Sequence, residues 1–223
     1  MLALIFDTET TGLLPGYYFK TNDKTCNDYM RDFPHIVQLS FILFDCETLK
    51  MVESYDFIIK VSDEVDIPET SFNIHGIDKK RSNEEGTDLK ECLNTLSNVY
   101  KKADIVVAHN LEFDLPLIQI EGLRHNCGVV MNKNDKGKQY YCNMKNTIEL
   151  CNIIRTNSRG SYKKYPSQEE LHFKLFETTP KNLHNSFNDV LVCLRSYIKL
   201  IQDKDLCEHN TEINTLYSKL LEV

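Results

Sequence analysis

Two acidic residues, Asp7 and Glu9, end the first apolar segment of the chain. In an extended strand, residues i and i+2 point to the same face, so these two carboxylates would lie side by side. Like charges at that spacing repel each other, and a divalent cation that favours hard oxygen ligands, such as Mg²⁺ or Mn²⁺, would relieve the repulsion. The alternative is a polar strand end before the turn Thr10-Thr11-Gly12. The pair therefore predicts either a metal site or an ordinary strand end.

A third acidic residue, Asp114, follows the β-branched segment Ala103 to Ala108 and ends the stretch His109-Asn110-Leu111-Glu112-Phe113-Asp114. This spacing places it where a predicted strand passes into a predicted helix. Active sites of α/β proteins commonly lie at that edge of the sheet. Asp is also a preferred helix N-cap, and Pro116 is tolerated in a first helical turn. A capping role is thus the alternative, and the two roles are compatible.

The fourth acidic residue, Asp189, lies in the long apolar helix predicted from Phe187 to Ile201. At 100° per residue this helix has one apolar stripe and one solvated strip, which we predict to hold Asn188, Arg195 and Lys199. Asp189 belongs to neither, because its own face carries small and apolar residues. A carboxylate on such a semi-buried face needs a pairing charge or a metal, since its desolvation is costly. The alternative is an exposed Asp that the helix dipole stabilises.

His184 lies just before this helix, where its imidazole could reach a water molecule. Imidazole changes charge near neutral pH and is a common general base. A lone histidine is more often a packed or surface residue, and we interpret His35, His125, His172 and His209 in that way. The position of His184 before Asp189 is what distinguishes it.

The elements that must position these residues follow from hydrophobic periodicity. We predict a strand over Leu2 to Phe6, then a hairpin of two strands over Ile36 to Asp45 and Met51 to Val61. Ala103 to Ala108 is predicted as a further strand, followed by a helix. Strands that are first antiparallel and then alternate with helices predict an α/β fold with a mixed β-sheet, helices on both faces and a single domain.

Helix starts and loops complete this prediction. Ser82 to Glu85 and Ser167 to Glu170 each have the spacing of a capping box, so we predict that a helix begins at each. A final helix is predicted from about Glu208 to Leu221. Two segments, Leu14 to Pro34 and Met131 to Pro166, are predicted to be loops, the first with a Tyr17-Tyr18-Phe19 cluster.

Composition limits the class of protein. The chain has 223 residues, of which 41% are hydrophobic and 26% charged, as expected for a globular domain. Its net charge of −7 argues against a protein that coats nucleic acid nonspecifically, because such binding needs many Lys and Arg residues. No apolar run would cross a bilayer and the N-terminus lacks a secretory signal, so we expect a soluble intracellular protein, cytoplasmic or nuclear. The eight cysteines form no Cys-x-x-Cys pair and are predicted to be reduced, mostly buried thiols.

In combination, these motifs resemble the DnaQ-like DEDDh exonuclease family. The resemblance rests on IFDTETTG with Asp7 and Glu9, AHNLEFD with Asp114, and LHNSFNDV with His184 and Asp189. It spans about residues 1 to 203 and includes IVQLSF and the stretch NIHGI, whose His75 we interpret as structural. It implies a ribonuclease H-like fold, with an exonuclease domain over 1–203 and a C-terminal helical extension over 204–223 packed on the same domain.

The resemblance also implies a chemistry. Two divalent ions, Mg²⁺ or Mn²⁺, would support release of nucleoside 5′-monophosphates from a 3′ end. Asp7, Glu9 and Asp189 would hold one ion, and Asp7 would share the second with Asp114 close by or acting through water. His184 would accept the proton of the attacking water. The candidate contacts to the terminal nucleotide are Thr10, Thr11, Gly12, Leu13 and Asn110.

The two predicted loops depart from compact members of the family and leave the substrate open. The second loop is basic, and we predict that part of it, including Arg159, Lys163 and Lys164, follows the substrate backbone. Four tyrosines of this loop could stack on bases: Tyr140, Tyr141, Tyr162 and Tyr165. The alternative is a solvated basic loop without substrate contact.

The function predicted from the sequence is a metal-dependent 3′→5′ exonuclease acting on single-stranded or frayed nucleic-acid ends, with DNA favoured over RNA. The alternatives are an exoribonuclease that trims RNA, and an inactive nucleic-acid-binding module with the same fold. The expected partner is a single-stranded 3′ end, without a membrane. A proofreading role would require a separate polymerase or another replication or repair protein.

Overall fold

The computed structural model describes residues 1–16, 18, 25–128 and 130–221. Tyr17 and Phe19 of the predicted aromatic cluster therefore lie outside the described residues. In chain order the strands are β1 (Leu2–Thr10), β2 (Ile36–Asp45), β3 (Lys50–Ile58), β4 (Ile105–Ala108), β5 (Gln139–Cys142), β6 (Ile154–Asn157) and β7 (Gly160–Lys163).

Helices connect these strands and follow the last of them. In chain order they are α1 (Cys26–Asp32), α2 (Glu69–His75), α3 (Lys79–Glu85), α4 (Leu89–Lys102), α5 (Leu111–Arg124), α6 (Asn143–Asn146), α7 (Ile148–Cys151), α8 (Gln168–Phe176), α9 (Ser186–Gln202), α10 (Leu206–His209) and α11 (Thr211–Leu221). None of the helices in the described ranges is long and apolar enough to span a membrane.

Five of the strands form one mixed sheet in the order β3-β2-β1-β4-β5. β1 pairs antiparallel with β2, and β2 antiparallel with β3, which confirms the three antiparallel strands predicted from the sequence. β4 pairs parallel with β1, and β5 parallel with β4. The sheet therefore has the mixed α/β architecture that the order of the elements predicts.

Both faces of this sheet are covered by helices, and β1 shows how the chain divides between them. Leu4 and Phe6 pack in a core cluster with α4 and α5, whereas Ala3 and Ile5 pack in a second cluster with α9 and α11. This alternation is the period-two pattern of a strand buried on both sides. It continues into the polar end of β1, where it decides which side chains face which helix.

The C-terminal helices close the second face. Leu206 of α10 and Ile213 and Tyr217 of α11 are buried in the cluster that contains the apolar residues of α9. The division of the chain at residue 203 into a domain and an extension stays a prediction. All eight cysteines lie in the described part and are free thiols; four are buried, three are half-buried and Cys26 is exposed.

Both predicted loops contain regular elements, so those predictions are wrong. Leu14 to Pro34 includes α1, which begins with a capping box between Thr25 and Asp28. Met131 to Pro166 includes β5, the short helices α6 and α7, and the hairpin β6–β7. Elements of four to seven residues are too short for a hydrophobic period to be recognised.

One of the two predicted capping boxes is also wrong. Ser82 lies inside α3, where its buried hydroxyl accepts from the Val61 N–H at 3.0 Å and donates to the Ile59 carbonyl at 2.8 Å. The helix predicted there begins instead after Asp88, which caps α4. The second box is confirmed, because the Ser167 side chain and the Glu170 carboxylate cap each other's backbone at the start of α8.

The strip of α9 that was predicted to be solvated is buried at Asn188 and Arg195. The Arg195 guanidinium donates to both carboxylate oxygens of Asp205, at 2.7 and 2.6 Å. It also stacks on the rings of Phe176 and Tyr217, with its Cζ at 4.0 and 4.5 Å from their centroids. The helical pattern of α9 alone does not predict this burial, because the residues that cover Arg195 belong to α8 and to the C-terminal segment.

We expect Arg195→Leu to lower the free energy of unfolding by about 3 kcal/mol, because it leaves a half-buried Asp205 without its partner. Urea denaturation followed by circular dichroism would measure this loss. The matched control is Lys199→Leu on the same helix, which removes the more exposed pair with Asp203 and should cost less than about 1 kcal/mol. Equal losses in the two variants would contradict the assignment of Arg195 as the anchor of the C-terminal helices.

Candidate active site

Strand β1 and helix α9 bring three of the predicted carboxylates together. Asp7 and Glu9 lie on the face of β1 that packs against α9, and Asp189 lies in the first turn of that helix. The Asn185 side chain caps this turn by accepting from the Asn188 N–H. One carboxylate oxygen from each of Asp7, Glu9 and Asp189 lies within 4.8 Å of the others. The two-residue period of β1 and the start of α9 thus bring the three carboxylates into one acidic cluster.

Asp114 approaches the cluster from the opposite face of the sheet. It lies in the first turn of α5 and is only 3% exposed. Its Oδ1 accepts from the Thr8 hydroxyl at 2.7 Å and from the Thr8 N–H at 3.2 Å. The N-cap of α5 is Asn110, so the alternative of Asp114 as a helix cap is wrong. Thr8, between Asp7 and Glu9 in sequence, instead fixes the fourth carboxylate beside them.

Burial and mutual repulsion set the protonation of these four groups. Burial is the largest cause that raises the pKa of Asp7 well above its usual value, and the charges of Asp114, Asp189 and Glu9 add to it. Burial, followed by the charges of Asp189 and Asp114, raises the pKa of Glu9 to about 8. Burial raises the pKa values of Asp114 and Asp189 to about 7. The charged forms are therefore disfavoured until a positive charge is supplied.

The donor set fits a divalent cation. Asp7, Glu9 and Asp189 offer only carboxylate oxygens, the ligand type that Mg²⁺ and Mn²⁺ prefer. Their oxygens are close enough to one another for a single ion to contact all three. The charges that act most strongly on Asp7 are those of other carboxylates, so the protein itself does not compensate this residue. Asp114 lies close enough to affect Asp7 and Glu9 electrostatically and is the nearest candidate for a second ion.

Hydrogen bonds from Gln168, His184 and the Asn185 main chain hold the Asp189 carboxylate. Its Oδ2 accepts from the His184 N–H at 2.8 Å, and its Oδ1 accepts from the Gln168 amide at 2.8 Å. Gln168 belongs to none of the predicted site residues, since a glutamine at the start of a helix has no distinguishing pattern. The only signal was its position directly after the capping residue Ser167.

His184 is exposed and has a backbone φ of 67°, in the left-handed region that is uncommon for residues other than glycine. Such conformations cluster at functional sites. It is one of the residues that line the same cleft as Glu9. His184 is thus an exposed residue beside the acidic cluster, and its role as a base stays a prediction.

The cleft beside the cluster has a volume of about 530 Å³. Its walls include the predicted nucleotide contacts Thr10, Thr11, Gly12 and Leu13, as well as residues of α2 and the start of α5. The Leu13 side chain is 85% exposed, so its apolar surface is open to a ligand. A volume of this size lies within the range of small-molecule sites.

Hydrogen bonds fix the turn that lines this cleft. The Thr11 N–H donates to the His35 carbonyl at 2.9 Å, and the His35 N–H donates to the Thr11 hydroxyl at 2.9 Å. The Ser71 hydroxyl donates to the Thr11 carbonyl at 2.9 Å. His75, interpreted as structural, is buried at the edge of the cleft, and its Nδ1 accepts from the Ile77 N–H at 3.1 Å.

The remaining substrate candidates lie elsewhere. Asn110 is half-buried at the N-cap of α5 and is not among the described residues that line the cleft. Arg159, Lys163 and Lys164 belong to the hairpin β6–β7 or follow it directly, and they do not line the cleft either. Lys163 pairs with Glu149. Of the predicted contacts to the terminal nucleotide, only the Thr10 to Leu13 turn therefore lies at the cleft.

Every residue of the two hairpin strands is exposed. Arg155 faces Tyr162 across the strand pair, and Arg159 lies in the turn between the strands. Tyr162 and Tyr165 are each 50% exposed, as base stacking would require.

Two of the predicted stacking tyrosines are half-buried and make contacts within the fold, so base stacking stays a prediction for them. The Tyr140 hydroxyl donates to the Asn132 carbonyl at 2.7 Å. The Tyr141 ring packs edge-on against Tyr197 of α9, with centroids 5.1 Å apart. Both belong to β5, which the sequence did not predict.

The comparisons with known proteins agree with this geometry. An RNase T-type family model described as Exonuclease matches residues 4–197. No curated protein matches the sequence. Among solved structures, the chain is similar to E. coli Exonuclease I in complex with a dT13 oligonucleotide, with a TM-score of 0.64 and 15% identity over 91% of this chain and 42% of that one.

The chain is also similar to a moderately thermophilic Exonuclease I from Methylocaldum szegediense, with a TM-score of 0.62 and 16% identity over 92% of this chain and 42% of that one. It thus spans less than half the length of these exonuclease I chains. The likeness to them extends the match from sequence motifs to the mixed sheet and its helices. Together with the family match over residues 4–197, it shows that this chain belongs to the DnaQ-like exonuclease family, with a ribonuclease H-like fold.

Proposed function

We propose that this protein is a metal-dependent 3′→5′ exonuclease that releases nucleoside 5′-monophosphates from single-stranded or frayed ends, with DNA favoured over RNA. The observation that carries the proposal is the convergence of Asp7, Glu9 and Asp189 within 4.8 Å of one another. Asp114 and the accessible His184 lie beside that cluster. Membership of the exonuclease family gives this acidic site a nucleic-acid substrate.

The carboxylates provide the charge and the geometry for hydrolysis. Bound divalent cations would supply the Lewis acidity that cleavage of a phosphodiester at neutral pH requires. Asp7, Glu9 and Asp189 would hold one Mg²⁺ or Mn²⁺, and Asp7 and Asp114 would hold a second. Asp7, Glu9 and Asp189 are half-buried and Asp114 is buried, and partial removal from water strengthens the attraction of a carboxylate for a cation.

His184 is proposed as the general base. Its imidazole would accept the proton of the attacking water, and its exposed position lets that proton pass on to solvent. The turn from Thr10 to Leu13 would hold the terminal nucleotide in the cleft. The hydrogen bonds of Thr11 would keep this turn at a fixed distance from Glu9, which lies two residues earlier in the chain.

Single-stranded DNA is the favoured substrate class. One of the similar structures is E. coli Exonuclease I in complex with a dT13 oligonucleotide, and we extend that class of ligand to this chain. A protein distinguishes RNA from DNA by contacts to the 2′-hydroxyl. Matched 5′-labelled DNA and RNA strands would test the preference, and shortening of the labelled RNA alone would identify an exoribonuclease.

Metal removal and Asp7→Asn should each abolish turnover of a 5′-labelled single strand. Burial and neighbouring carboxylates raise the pKa of Asp7, so its charged form is disfavoured in the metal-free fold. A neutral Asn should therefore leave the thermal unfolding midpoint in EDTA unchanged or higher. The control is the exposed Asp63→Asn, which should retain wild-type activity. Full activity in excess EDTA or in Asp7→Asn would exclude the proposed mechanism.

His184→Ala should lower the hydrolysis rate by roughly 10²-fold or more, and should alter the acid limb of the pH–rate profile. Metal binding should persist, because the hydrogen bond to Asp189 comes from the main chain of residue 184. His184→Asn tests the same point with a residue that tolerates positive φ. The control is the exposed His209→Ala. An unchanged rate and pH profile in both His184 variants would show that the imidazole is not the base.

The structure refines the prediction for the basic segment. Lys163 and Lys164 pair with Glu149 and Glu170. Arg155, which faces Tyr162 across the hairpin, and Arg159, which lies in its turn, are exposed. We therefore propose that the arginines contact the substrate backbone.

Replacing Arg155 and Arg159 together with Ala should weaken binding of a labelled strand and lower the salt slope by about 0.7 for each phosphate that is no longer neutralised. Fluorescence anisotropy at several salt concentrations would measure both quantities. The matched control replaces Lys163 and Lys164 with Ala and should change them less. Turnover at saturating substrate should change little. Wild-type affinity and salt slope in the arginine variant would assign the hairpin another role.

A further inference from the structure

We infer that Gln168 is a positioning residue that sets the orientation of the metal ligand Asp189. This inference rests on the proposed function, in which Asp189 holds a divalent cation. It goes beyond that proposal because Gln168 belongs to none of the sequence motifs and would not contact the ion.

The contacts of Gln168 are directed at a single residue. Its Nε2 donates to Asp189 Oδ1 at 2.8 Å and to the Asp189 main-chain carbonyl at 3.0 Å. The other carboxylate oxygen accepts from the His184 N–H at 2.8 Å. Each oxygen of the carboxylate thus has a fixed donor, and the Asn185 main chain adds a further hydrogen bond, so rotation about the side-chain torsions would break at least one of them. The remaining lone pairs face the acidic cluster and are free for the cation that it would hold.

The amide is itself held in place. Gln168 is 9% exposed and is the first residue of α8, directly after the capping residue Ser167. Glu170, the other member of that capping box, also accepts from Lys164 at 2.7 and 2.8 Å. On the other side, the His109 imidazole Nε2 lies 3.1 Å from the Pro166 carbonyl oxygen. These contacts fix the main chain around Gln168 and so limit where its amide can lie.

The chemistry of an amide suits this role. Lys or Arg at this position would also donate to Asp189, but its charge would compete with the cation for the carboxylate. A neutral amide orients the carboxylate and leaves its negative charge available. Hydrogen-bond partners of metal ligands typically affect metal affinity by about 10–100-fold when they are replaced. Loss of the Gln168 donor should therefore appear first in cation binding.

The test compares Gln168→Met with Gln202→Met. Methionine keeps the length of the side chain and removes the donor. Gln202 lies at the far end of α9, and its amide donates to the Cys46 carbonyl at 2.7 Å. Its replacement therefore removes a comparable hydrogen bond from the same helix as Asp189. Isothermal titration with Mn²⁺, without nucleic acid, would give the cation affinity of each protein.

We expect Gln168→Met to weaken Mn²⁺ binding by about 10-fold or more, and Gln202→Met to leave it unchanged. At saturating Mn²⁺, turnover by Gln168→Met should return towards the wild-type rate, because the ligand Asp189 is still present. Gln168→Asn, which keeps the amide on a shorter side chain, should show the same weakening and serves if the Met variant does not fold.

Wild-type affinity in a folded Gln168 variant would overturn this inference and leave the proposed function standing. Equal weakening in Gln202→Met would also overturn it, because the effect would then be a general loss of helix stability. Absence of Mn²⁺ binding to the wild-type protein would instead contradict the proposed function itself, and with it the role of Gln168.

Discussion

Repulsion among four carboxylates that are partly or fully removed from water is the constraint on which the arrangement of this protein depends. Asp7, Glu9, Asp114 and Asp189 each have a pKa raised by burial, and the charges of the others add to this effect at Asp7. A fold that only had to be stable would separate these groups or pair them with cations. Here the surrounding elements hold them together, so part of the folding free energy supports a site that is favourable only when a cation binds.

The period of β1 explains how one strand can organise this set. Asp7 and Glu9 point towards α9 and meet Asp189, while Thr8 points the other way and holds Asp114 by two hydrogen bonds. A shift of the strand by one residue would exchange the faces and dismantle both contacts at once. The antiparallel pairing with β2 and the parallel pairing with β4 prevent that shift. The pairing of β1 with its two neighbouring strands therefore also fixes the positions of the site residues.

The sequence predicted the features that depend on local periodicity. The bounds of β2 were predicted as Ile36–Asp45, and the same bounds are found in the structure. Prediction from the sequence failed where contacts with distant segments determine whether a side chain is buried or hydrogen-bonded. Arg195 has the spacing of a solvated residue, yet Asp205 and two aromatic rings cover it. Gln168 has no recognisable pattern, because its partner Asp189 lies 21 positions away in the chain.

Charge distribution gives the two proposed substrate-binding regions different roles. The protein has a net charge of −7, and the acidic cluster offers no positive charge to the phosphate of a terminal nucleotide. Two divalent cations would balance the charge of the four ionised carboxylates and would supply the positive charge that attracts the terminal phosphate. The exposed arginines of the hairpin do not line the cleft and cannot replace those cations. In the proposed function, binding of the nucleic-acid strand to the hairpin therefore does not require metal. Entry of the 3′ end into the cleft does require it.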